Sequence, residues 1–257
     1  MYNCKMESAK IIVFDLDQTL TESKMPLDEE MSGLLSRLLK KKKVAIISGA
    51  GFFQFENQFL KYLHSDLALL PNLYLLPTSG AALYEYKDKW TCVYRNNLTD
   101  IDKKKIFDAF EVTFLETGFK KEPTIYGVLI EDRDSAITFS GLGSLAPFEI
   151  KSKWDPDHAK RDILVASLRK KLPGFSVKIG GTSSIDVTGI GIDKAYGVME
   201  LINRLGYNKN DIFYIGDALF PGGNDSSIIP LGIGYDWVKA GVKDTKKFLR
   251  DFLSKNI

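Results

Sequence analysis

Short runs of branched and aromatic residues mark the predicted strands of this chain. The three clearest runs cover residues 11–14, 44–47 and 212–215, and small or polar residues follow each of them. A continuous apolar run of this length is typical of a strand that is buried on both faces. Further strand candidates cover residues 72–76, 81–86 and 231–234, and helical stretches lie between most of the predicted strands. This alternation predicts a parallel sheet with helices on both faces.

The middle of the chain has a different pattern. Polar and apolar residues alternate over residues 126–131, 135–140 and 176–179, as they do in strands with one exposed face. Two helical stretches, residues 103–117 and 157–172, accompany these strands. We therefore predict a separate α+β unit that is inserted into an α/β core. The predicted boundaries are residues 1–84 and 186–257 for the core and residues 85–185 for the inserted unit.

Composition narrows the functional classes. With 257 residues, 44% hydrophobic and 26% charged, the chain is long enough for one large domain or two smaller ones. A formal net charge of +2 gives no support to a nucleic-acid or anionic-membrane partner. Cys4 and Cys92 are too far apart in sequence to suggest a disulfide framework or a zinc site. Neither a signal peptide nor an apolar span of about 18 residues is visible, so we expect a soluble cytoplasmic protein.

Two carboxylates, Asp15 and Asp17, directly follow the first apolar run. Open α/β sheets hold their ligands at the carboxyl ends of the strands. Two neighbouring carboxylates repel one another and favour a bound cation such as Mg²⁺, after which one could attack phosphorus and the other could move a proton. Taken alone, the pair is weak evidence for catalysis, because acidic pairs at strand ends are often solvated turn residues.

Three later segments bring complementary groups. Ser48 and Gly49 follow the second apolar run in a turn whose hydroxyl and N–H groups suit phosphate oxygens. Asp217 follows the third run, and Asp225 comes after it on a glycine-rich loop that can close around a metal. Lys194 begins a helical stretch and could offset the charge of a phosphoryl group. The local alternatives are a serine-capped turn and a solvated lysine.

The ordered set of these groups resembles the four motifs of the haloacid dehalogenase superfamily of phosphotransferases. In this order the set is Asp15 with Asp17, Ser48, Lys194, and Asp217 with Asp225. The resemblance implies a Rossmann-like core with a parallel sheet. It also implies that the long insertion between the serine and lysine segments is an α+β cap of the C2 type.

The resemblance assigns a role to each matched residue. Asp15 would be the nucleophile that forms an aspartyl-phosphate, and Asp17 would be the general acid and base. Ser48 and Lys194 would hold the transferring phosphoryl group. Phosphoryl transfer depends mostly on positioning and charge stabilisation, which agrees with this assignment.

A bound Mg²⁺ is part of the same resemblance. Its ligands would be Asp15, the backbone carbonyl of Asp17, and Asp217. Asp225 and Asn224 would support these ligands, with Asp225 orienting Lys194 or the water around the metal.

Within the superfamily, the chain is most similar to the eukaryotic-type phosphomannomutase family and its sugar-phosphate phosphatase relatives. The similarity rests on residues 15–21, 180–187, 191–194 and 221–225. It implies substrate contacts by four residues, which are Gly49, Arg133, Ser184 and Asp186. Arg133 lies in a charged string, where a solvated salt-bridging turn is the alternative.

Several departures from the mutase pattern bear on the activity. The family's arginines align with Lys24, Tyr126, Arg133 and Ser144, so only Arg133 is retained. Arginine suits the grip on a distal phosphate because it makes bidentate contacts, and each charged hydrogen bond contributes about 1.5–3 kcal/mol. Gln18 also stands where the family usually has glycine.

We therefore predict a Mg²⁺-dependent phosphatase that hydrolyses a small phosphorylated metabolite, most simply a sugar phosphate, through an aspartyl-phosphate. The alternative is a phosphomannomutase that interconverts mannose 1-phosphate and mannose 6-phosphate. A non-catalytic binding protein would be expected to have lost a catalytic carboxylate, and a nucleotide-binding module would carry a glycine-rich fingerprint after the first strand. The chain fits neither description, and the prediction leaves open a homodimer through the cap.

Overall fold

The computed structural model describes residues 2–255, with side chains from Lys5 onward. The chain divides into two compact units. The first unit, the core, runs up to Arg95 and resumes at Asp193, and the second unit, the cap, is the continuous segment Asn96–Ile192.

Most predicted elements are present in the predicted order, but the strands Trp90–Arg95 and Ser184–Gly189 were not predicted, and the strand predicted at 126–131 is observed only at Ile130–Asp132. The strands are β1 (Ile11–Asp15), β2 (Lys43–Ile47), β3 (Leu73–Leu76), β4 (Ala82–Tyr86), β5 (Trp90–Arg95), β6 (Ile130–Asp132), β7 (Ala136–Ser140), β8 (Phe175–Ile179), β9 (Ser184–Gly189), β10 (Ile212–Gly216) and β11 (Gly234–Trp237). The helices are α1 (Tyr2–Ser8), α2 (Glu29–Leu39), α3 (Phe52–Gln54), α4 (Asp100–Thr117), α5 (Phe148–Trp154), α6 (Ala159–Lys171), α7 (Lys194–Leu205) and α8 (Val242–Lys255). A π-helical turn, Phe55–Phe59, continues α3, and short 3-10 turns cover Leu60–Tyr62, Leu67–Asn72, Thr78–Gly80, Lys209–Asp211 and Ser226–Leu231.

The core contains a seven-stranded sheet in the order β11-β10-β1-β2-β3-β4-β5. The first five strands are parallel, and β4 and β5 continue the sheet as antiparallel strands. Strand β1 lies between β10 and β2, so the carboxyl ends of these three strands meet at one edge. The predicted α/β class with a mostly parallel sheet is therefore confirmed.

Strand β1 is buried along its whole length because both faces of the sheet are covered. Ile12 and Phe14 pack into a cluster with side chains of α2 and α8. Ile11 and Val13 project to the opposite face and pack with side chains of α7. This arrangement explains the unbroken apolar run in the sequence, since the period-two alternation of side chains finds a core on each side.

The cap has its own sheet and its own core. Its four strands are antiparallel, in the order β6-β7-β9-β8. Ile137 and Phe139 of β7 share a hydrophobic cluster with side chains of α4 and α6, whereas Thr138 lies on the other face. The predicted alternation of polar and apolar residues is present, but every residue of β7 is buried, so the predicted exposed face is wrong for this strand.

Both boundaries of the cap lie later in the sequence than predicted, at Asn96 and Ile192 in place of residues 85 and 185. Strand β5, Trp90–Arg95, pairs with β4 in the core sheet, so the core continues to Arg95, past its predicted end at residue 84. Strand β9, Ser184–Gly189, pairs with β7 and β8, so the cap continues past residue 185 to Ile192. The alternation of residues in these strands does not show which sheet supplies their hydrogen-bond partners.

Among residues 2–255, no helix combines the length and the apolar character that crossing a bilayer would require.

Candidate active site

The carboxyl ends of three strands bring the predicted catalytic groups together. Asp15 is the last residue of β1 and pairs with the last residue of β2, so Ser48 follows beside it. Strand β10 flanks β1 on the other side and delivers Asp217 to the same edge. The parallel topology therefore explains why residues that are distant in sequence meet here.

Lys194 links two buried carboxylates. Its Nζ lies 2.5 Å from Oδ1 of Asp15 and 2.6 Å from Oδ1 of Asp225. Asp225 also accepts hydrogen bonds from the hydroxyl of Tyr214 at 2.6 Å and from the backbone N–H of Ala218 at 3.1 Å. Lys194 and Asp15 are 2% and 3% exposed and Asp225 is completely buried, so this network is largely removed from water.

A close backbone contact positions helix α7, which carries Lys194. Helix α7 begins at Lys194, and one turn later Gly197 meets Gly80, which has φ +86°. A Cβ atom on Gly80 would lie 2.3 Å from Cα of Gly197, and one on Gly197 would lie 2.7 Å from Cα of Gly80. Near the other carboxylate, a Cβ on Gly216 would lie 2.3 Å from Oδ2 of Asp225. Glycine at positions 80 and 197 therefore allows the two backbones to approach, and glycine at position 216 leaves room for the carboxylate of Asp225.

Burial and neighbouring charges shift the ionisation of these groups. Burial raises the pKa of the Asp15 carboxyl well above its ordinary value against the opposing charge of Lys194, and the carboxylates of Asp225 and Asp217 raise it further. Burial and Asp225 likewise raise the pKa of Asp217. For Lys194, burial favours the neutral amine, but Asp15 and Asp225 raise the pKa of its ammonium. The cluster thus has more carboxylates than its one cation can neutralise.

These carboxylates fit a divalent cation. One oxygen each from Asp15, Asp217 and Asp225 lie within 4.8 Å of one another. Because Asp225 already accepts three hydrogen bonds, Asp15 and Asp217 are the carboxylates best able to act as ligands. Hard oxygen donors of this kind suit Mg²⁺. The cluster contains the side chain of Asp225 and not that of Asp17, for which the sequence predicts a backbone contribution.

Asp17 lies two residues after Asp15, outside the cluster, and has its own hydrogen-bond partners. Its Oδ1 accepts hydrogen bonds from the backbone N–H of Lys24 at 2.7 Å and from Nε2 of Gln58 at 3.0 Å. The sequence analysis did not identify Gln58. The available signal was weak, since a glutamine three residues after Phe55 on an otherwise apolar helix face is the only local hint.

Ser48 is buried at the end of β2. Its Oγ accepts a hydrogen bond from the backbone N–H of Ala50 at 3.1 Å, which is the serine-capped turn that the sequence also allowed. The hydroxyl proton can still be donated to a ligand, because the turn uses only the oxygen. Gly49 is partly exposed beside it. Asn224 is exposed in the loop that leads to Asp225.

Arg133, in the cap, makes a local ion pair. Its Nε and Nη2 donate to Oε2 of Glu131 at 2.8 and 2.6 Å. The ion pair of the alternative is therefore present, but the Arg133 side chain is only 9% exposed, so this side chain is not solvated as that alternative predicted. Tyr126 is 39% exposed, and Ser144 is buried with its Oγ accepting the backbone N–H of Val128 at 3.3 Å. Tyr126 and Ser144 therefore provide no positive charge where the family resemblance expects arginine.

Ser184 and Asp186 lie on one face of β9. Oδ1 of Asp186 accepts a hydrogen bond from the hydroxyl of Thr138 on the neighbouring strand at 2.7 Å. A Cβ on Gly180 would lie 2.4 Å from Oγ of Ser184 and 2.5 Å from Oδ2 of Asp186. The structure therefore brings both predicted substrate contacts together around a glycine of the cap.

Comparisons with known proteins identify relatives over almost the whole chain. The family model of eukaryotic phosphomannomutase matches residues 31–255. A probable phosphomannomutase from Caenorhabditis elegans is 26% identical over 253 residues, covering 96% of this chain and 97% of the relative. Phosphomannomutase 2 from Dictyostelium discoideum is 28% identical over 225 residues, covering 85% of this chain and 86% of the relative.

A solved structure has the same fold. A haloacid dehalogenase-like hydrolase from Bacteroides thetaiotaomicron superposes with a TM-score of 0.65 at 16% identity, covering 95% of this chain and 99% of that one. At this identity the likeness shows the fold alone. The family match covers most of the core and all of the cap, and the relatives extend it across the first strand and its carboxylates. The chain therefore belongs to the eukaryotic phosphomannomutase family.

Proposed function

We propose that this protein is a Mg²⁺-dependent phosphomannomutase that interconverts mannose 1-phosphate and mannose 6-phosphate through Asp15. The buried contact between Asp15 and Lys194 is the observation that supports phosphoryl transfer, because it holds a carboxylate and a cation where a phosphoryl group can meet both. The names of the relatives favour the mutase over the phosphatase that the sequence placed first.

In the first step, an oxygen of Asp15 attacks phosphorus and the bond from phosphorus to the sugar oxygen breaks. Asp17 donates a proton to the departing oxygen. Lys194 and the hydroxyl of Ser48 stabilise the oxygens of the transferring group. Mg²⁺, held by Asp15 and Asp217, would supply the positive charge that offsets the charge on these oxygens. The products are an aspartyl-phosphate and the sugar that has lost this phosphate, which is still a sugar phosphate when the donor is a bisphosphorylated sugar.

In the second step, a hydroxyl of a sugar phosphate attacks the aspartyl-phosphate, and Asp17 accepts its proton. This restores Asp15 and gives a bisphosphorylated sugar, which must turn over and donate its other phosphate for isomerisation to be complete. If water attacks in place of the sugar, the same residues carry out hydrolysis. Retention of the bisphosphorylated sugar therefore decides between the two activities.

Hydrolysis of a sugar phosphate is the second candidate, because Lys24, Tyr126 and Ser144 stand where the family resemblance expects arginine. A lost charged hydrogen bond weakens binding by about 1.5–3 kcal/mol. Losing several such bonds to the distal phosphate would favour escape of the bisphosphorylated sugar. Water would then complete the reaction.

The deciding experiment measures conversion and release on the same protein. Mannose 1-phosphate is incubated with Mg²⁺ and a hexose bisphosphate activator, and both mannose 6-phosphate and inorganic phosphate are measured. Conversion well above release supports the mutase, whereas release without conversion supports the phosphatase and contradicts the main proposal.

The variant Asp15→Asn should lower both the conversion of mannose 1-phosphate and the release of phosphate by at least about 10³-fold. Circular dichroism and the melting transition should show that the variant is folded. Survival of either activity in the folded variant would contradict the assignment of Asp15 as nucleophile.

A further inference from the structure

Gln58 is a buried side chain that contacts the carboxylate of Asp17. Its side chain is 5% exposed, and its Nε2 donates to Oδ1 of Asp17 at 3.0 Å and to Oγ1 of Thr21 at 2.7 Å. The same Oδ1 receives the backbone N–H of Lys24 at 2.7 Å. Two donors on one oxygen fix the orientation of the carboxylate and leave its second oxygen available.

The orientation of the Gln58 amide follows from its neighbours. A carboxylate can only accept, so the amide nitrogen must face Asp17. Within the part of the chain that the structure describes, the amide oxygen Oε1 is then buried without a hydrogen-bond partner. An unpaired buried oxygen destabilises the fold, and methionine would fill a similar volume without this cost. Packing alone therefore does not account for a glutamine here.

The local backbone fixes the position of Gln58. It lies in the π-helical turn Phe55–Phe59, whose two terminal phenylalanines are completely buried in the core cluster. Its carbonyl accepts the backbone N–H of Leu27, which ties the turn to the segment that follows Asp17. Widened turns of this kind occur frequently at functional sites.

We infer that Gln58 is a positioning residue that holds Oδ1 of Asp17 and so presents Oδ2 to the oxygen of the leaving group. This inference rests on the proposed function, in which Asp17 gives its proton to that oxygen. Without the amide, the carboxylate can turn away from the leaving group. Proton transfer then slows, whereas binding and the attack by Asp15 are retained.

The test compares two substrates that differ in their need for a proton. A sugar phosphate leaves as an alkoxide unless it is protonated, whereas p-nitrophenyl phosphate releases a stable phenolate. The rate of the first phosphoryl transfer to Asp15 is measured in single turnovers for both, together with KM in the steady state. The variants are Gln58→Met, Asp17→Asn as the reference, and Asn57→Ala as the control. Asn57 is the exposed neighbour, whose side chain donates to the carbonyl of Phe53.

Gln58→Met should slow transfer from the sugar phosphate by about 10- to 100-fold, which is at most the lower limit of the about 10²- to 10⁴-fold contribution of general acid catalysis. Transfer from p-nitrophenyl phosphate should stay within about threefold of the unaltered protein, and KM should change little. Asn57→Ala should match the unaltered protein on both substrates. Equal rates of Gln58→Met and the unaltered protein on the sugar phosphate would overturn the inference.

The reference variant separates this inference from the proposed function. If Asp17→Asn shows the selective defect and Gln58→Met does not, the inference fails and the proposed function stands. If Asp17→Asn slows both substrates equally, Asp17 is not the general acid. The proposed mechanism then fails, and the inference about Gln58 fails with it. If Gln58→Met does not fold, Thr21→Val removes the other acceptor of the amide. A smaller loss confined to the sugar phosphate supports the inference, and an equal loss on both substrates overturns it.

Discussion

Gln18 lies directly beside Asp17 and has a backbone conformation that glycine adopts more easily. Its φ is +60°, and its N–H donates to the carbonyl of Thr21 at 2.7 Å to close the turn after the first strand. The side chain of a non-glycine residue costs about 1–2 kcal/mol in this region of φ. The usual glycine of the family at this position therefore has a physical reason, and this chain carries a strained residue in its place.

Replacing Gln18 with glycine should stabilise the protein. The gain from relieving the left-handed conformation, about 1–2 kcal/mol, exceeds the extra backbone entropy of glycine, about 0.5–1 kcal/mol. We expect the free energy of unfolding in urea to rise by about 0.5–1 kcal/mol. Gln18→Ala is the control, because it removes the side-chain contact with Glu22 and keeps the strain. A glycine variant no more stable than the alanine variant would contradict this explanation.

Ser144 tests whether missing guanidinium groups favour hydrolysis. Ser144→Arg should raise the ratio of mannose 6-phosphate formed to inorganic phosphate released, because a bidentate contact improves retention of the bisphosphorylated sugar. The substitution also removes the hydrogen bond from Val128, so the free energy of unfolding should fall by about 1 kcal/mol. Ser144→Lys supplies charge without the bidentate geometry and should raise the ratio less. An unchanged ratio in a folded Ser144→Arg variant would count against the missing-arginine argument.

At the scale of elements, a buried ion pair ties helix α6 to the turn between β8 and β9. Nε of Arg161 donates to Oδ2 of Asp155 at 2.8 Å, and its Nη1 donates to the carbonyl of Gly181 at 2.6 Å. Asp155 also accepts the backbone N–H groups of Lys160 and Arg161 at the start of α6. Arg161 and Asp155 are 1% and 2% exposed. This pair fixes the turn that precedes Ser184.

Arg161→Met should lower the free energy of unfolding of the cap by about 3–5 kcal/mol, because it leaves the buried carboxylate of Asp155 without its cation. The matched control is Arg169→Met in the same helix. Arg169 is exposed and donates to the carbonyl of Val177, so its loss should cost about 0.5–1.5 kcal/mol. Thermal and urea unfolding measure both values. Equal losses in the two variants would show that burial of the pair contributes nothing.

The same pair gives the cap a pH dependence. Burial acts to raise the pKa of Asp155, but hydrogen bonds from Arg161 and from the backbone outweigh it and lower the pKa below 3.8. A lowered carboxyl pKa means that the stabilisation is complete above the ordinary value and is lost as the pH falls through the folded value. The melting temperature of the unaltered protein should therefore fall more steeply below about pH 4 than that of Arg161→Met.

The elements that the sequence predicted best are those whose identity depends on local pattern. Strand β1 was visible because its apolar run is covered on both faces, and Asp15 and Lys194 were visible because their spacing follows a family motif. Gln58 and Arg161 were not, because their roles depend on partners that are distant in sequence. The strand predicted at 231–234 begins only at Gly234, because Pro230 and Gly232, with φ +74°, end a 3-10 turn.

At the scale of the whole molecule, the two units are assembled differently. The core is discontinuous, since neighbouring strands β1 and β10 come from segments on either side of the cap. The cap is one continuous segment with a hydrophobic cluster of its own. A sequence pattern can show that an insertion is present, but its limits depend on which sheet takes up β5 and β9. A homodimer through the cap and a cytoplasmic location stay predictions.

The contact between Gly80 and Gly197 also limits how this protein can evolve. Because the Cα atom of each glycine occupies the space that a side chain on the other would need, neither residue can gain a side chain without pushing α7, and with it Lys194, away from the turn Thr78–Gly80. Gly33 and Gly174 face no such barrier, since a Cβ there would meet no atom within 4 Å. Genetic drift can therefore act on Gly33 and Gly174, whereas selection retains glycine at both position 80 and position 197.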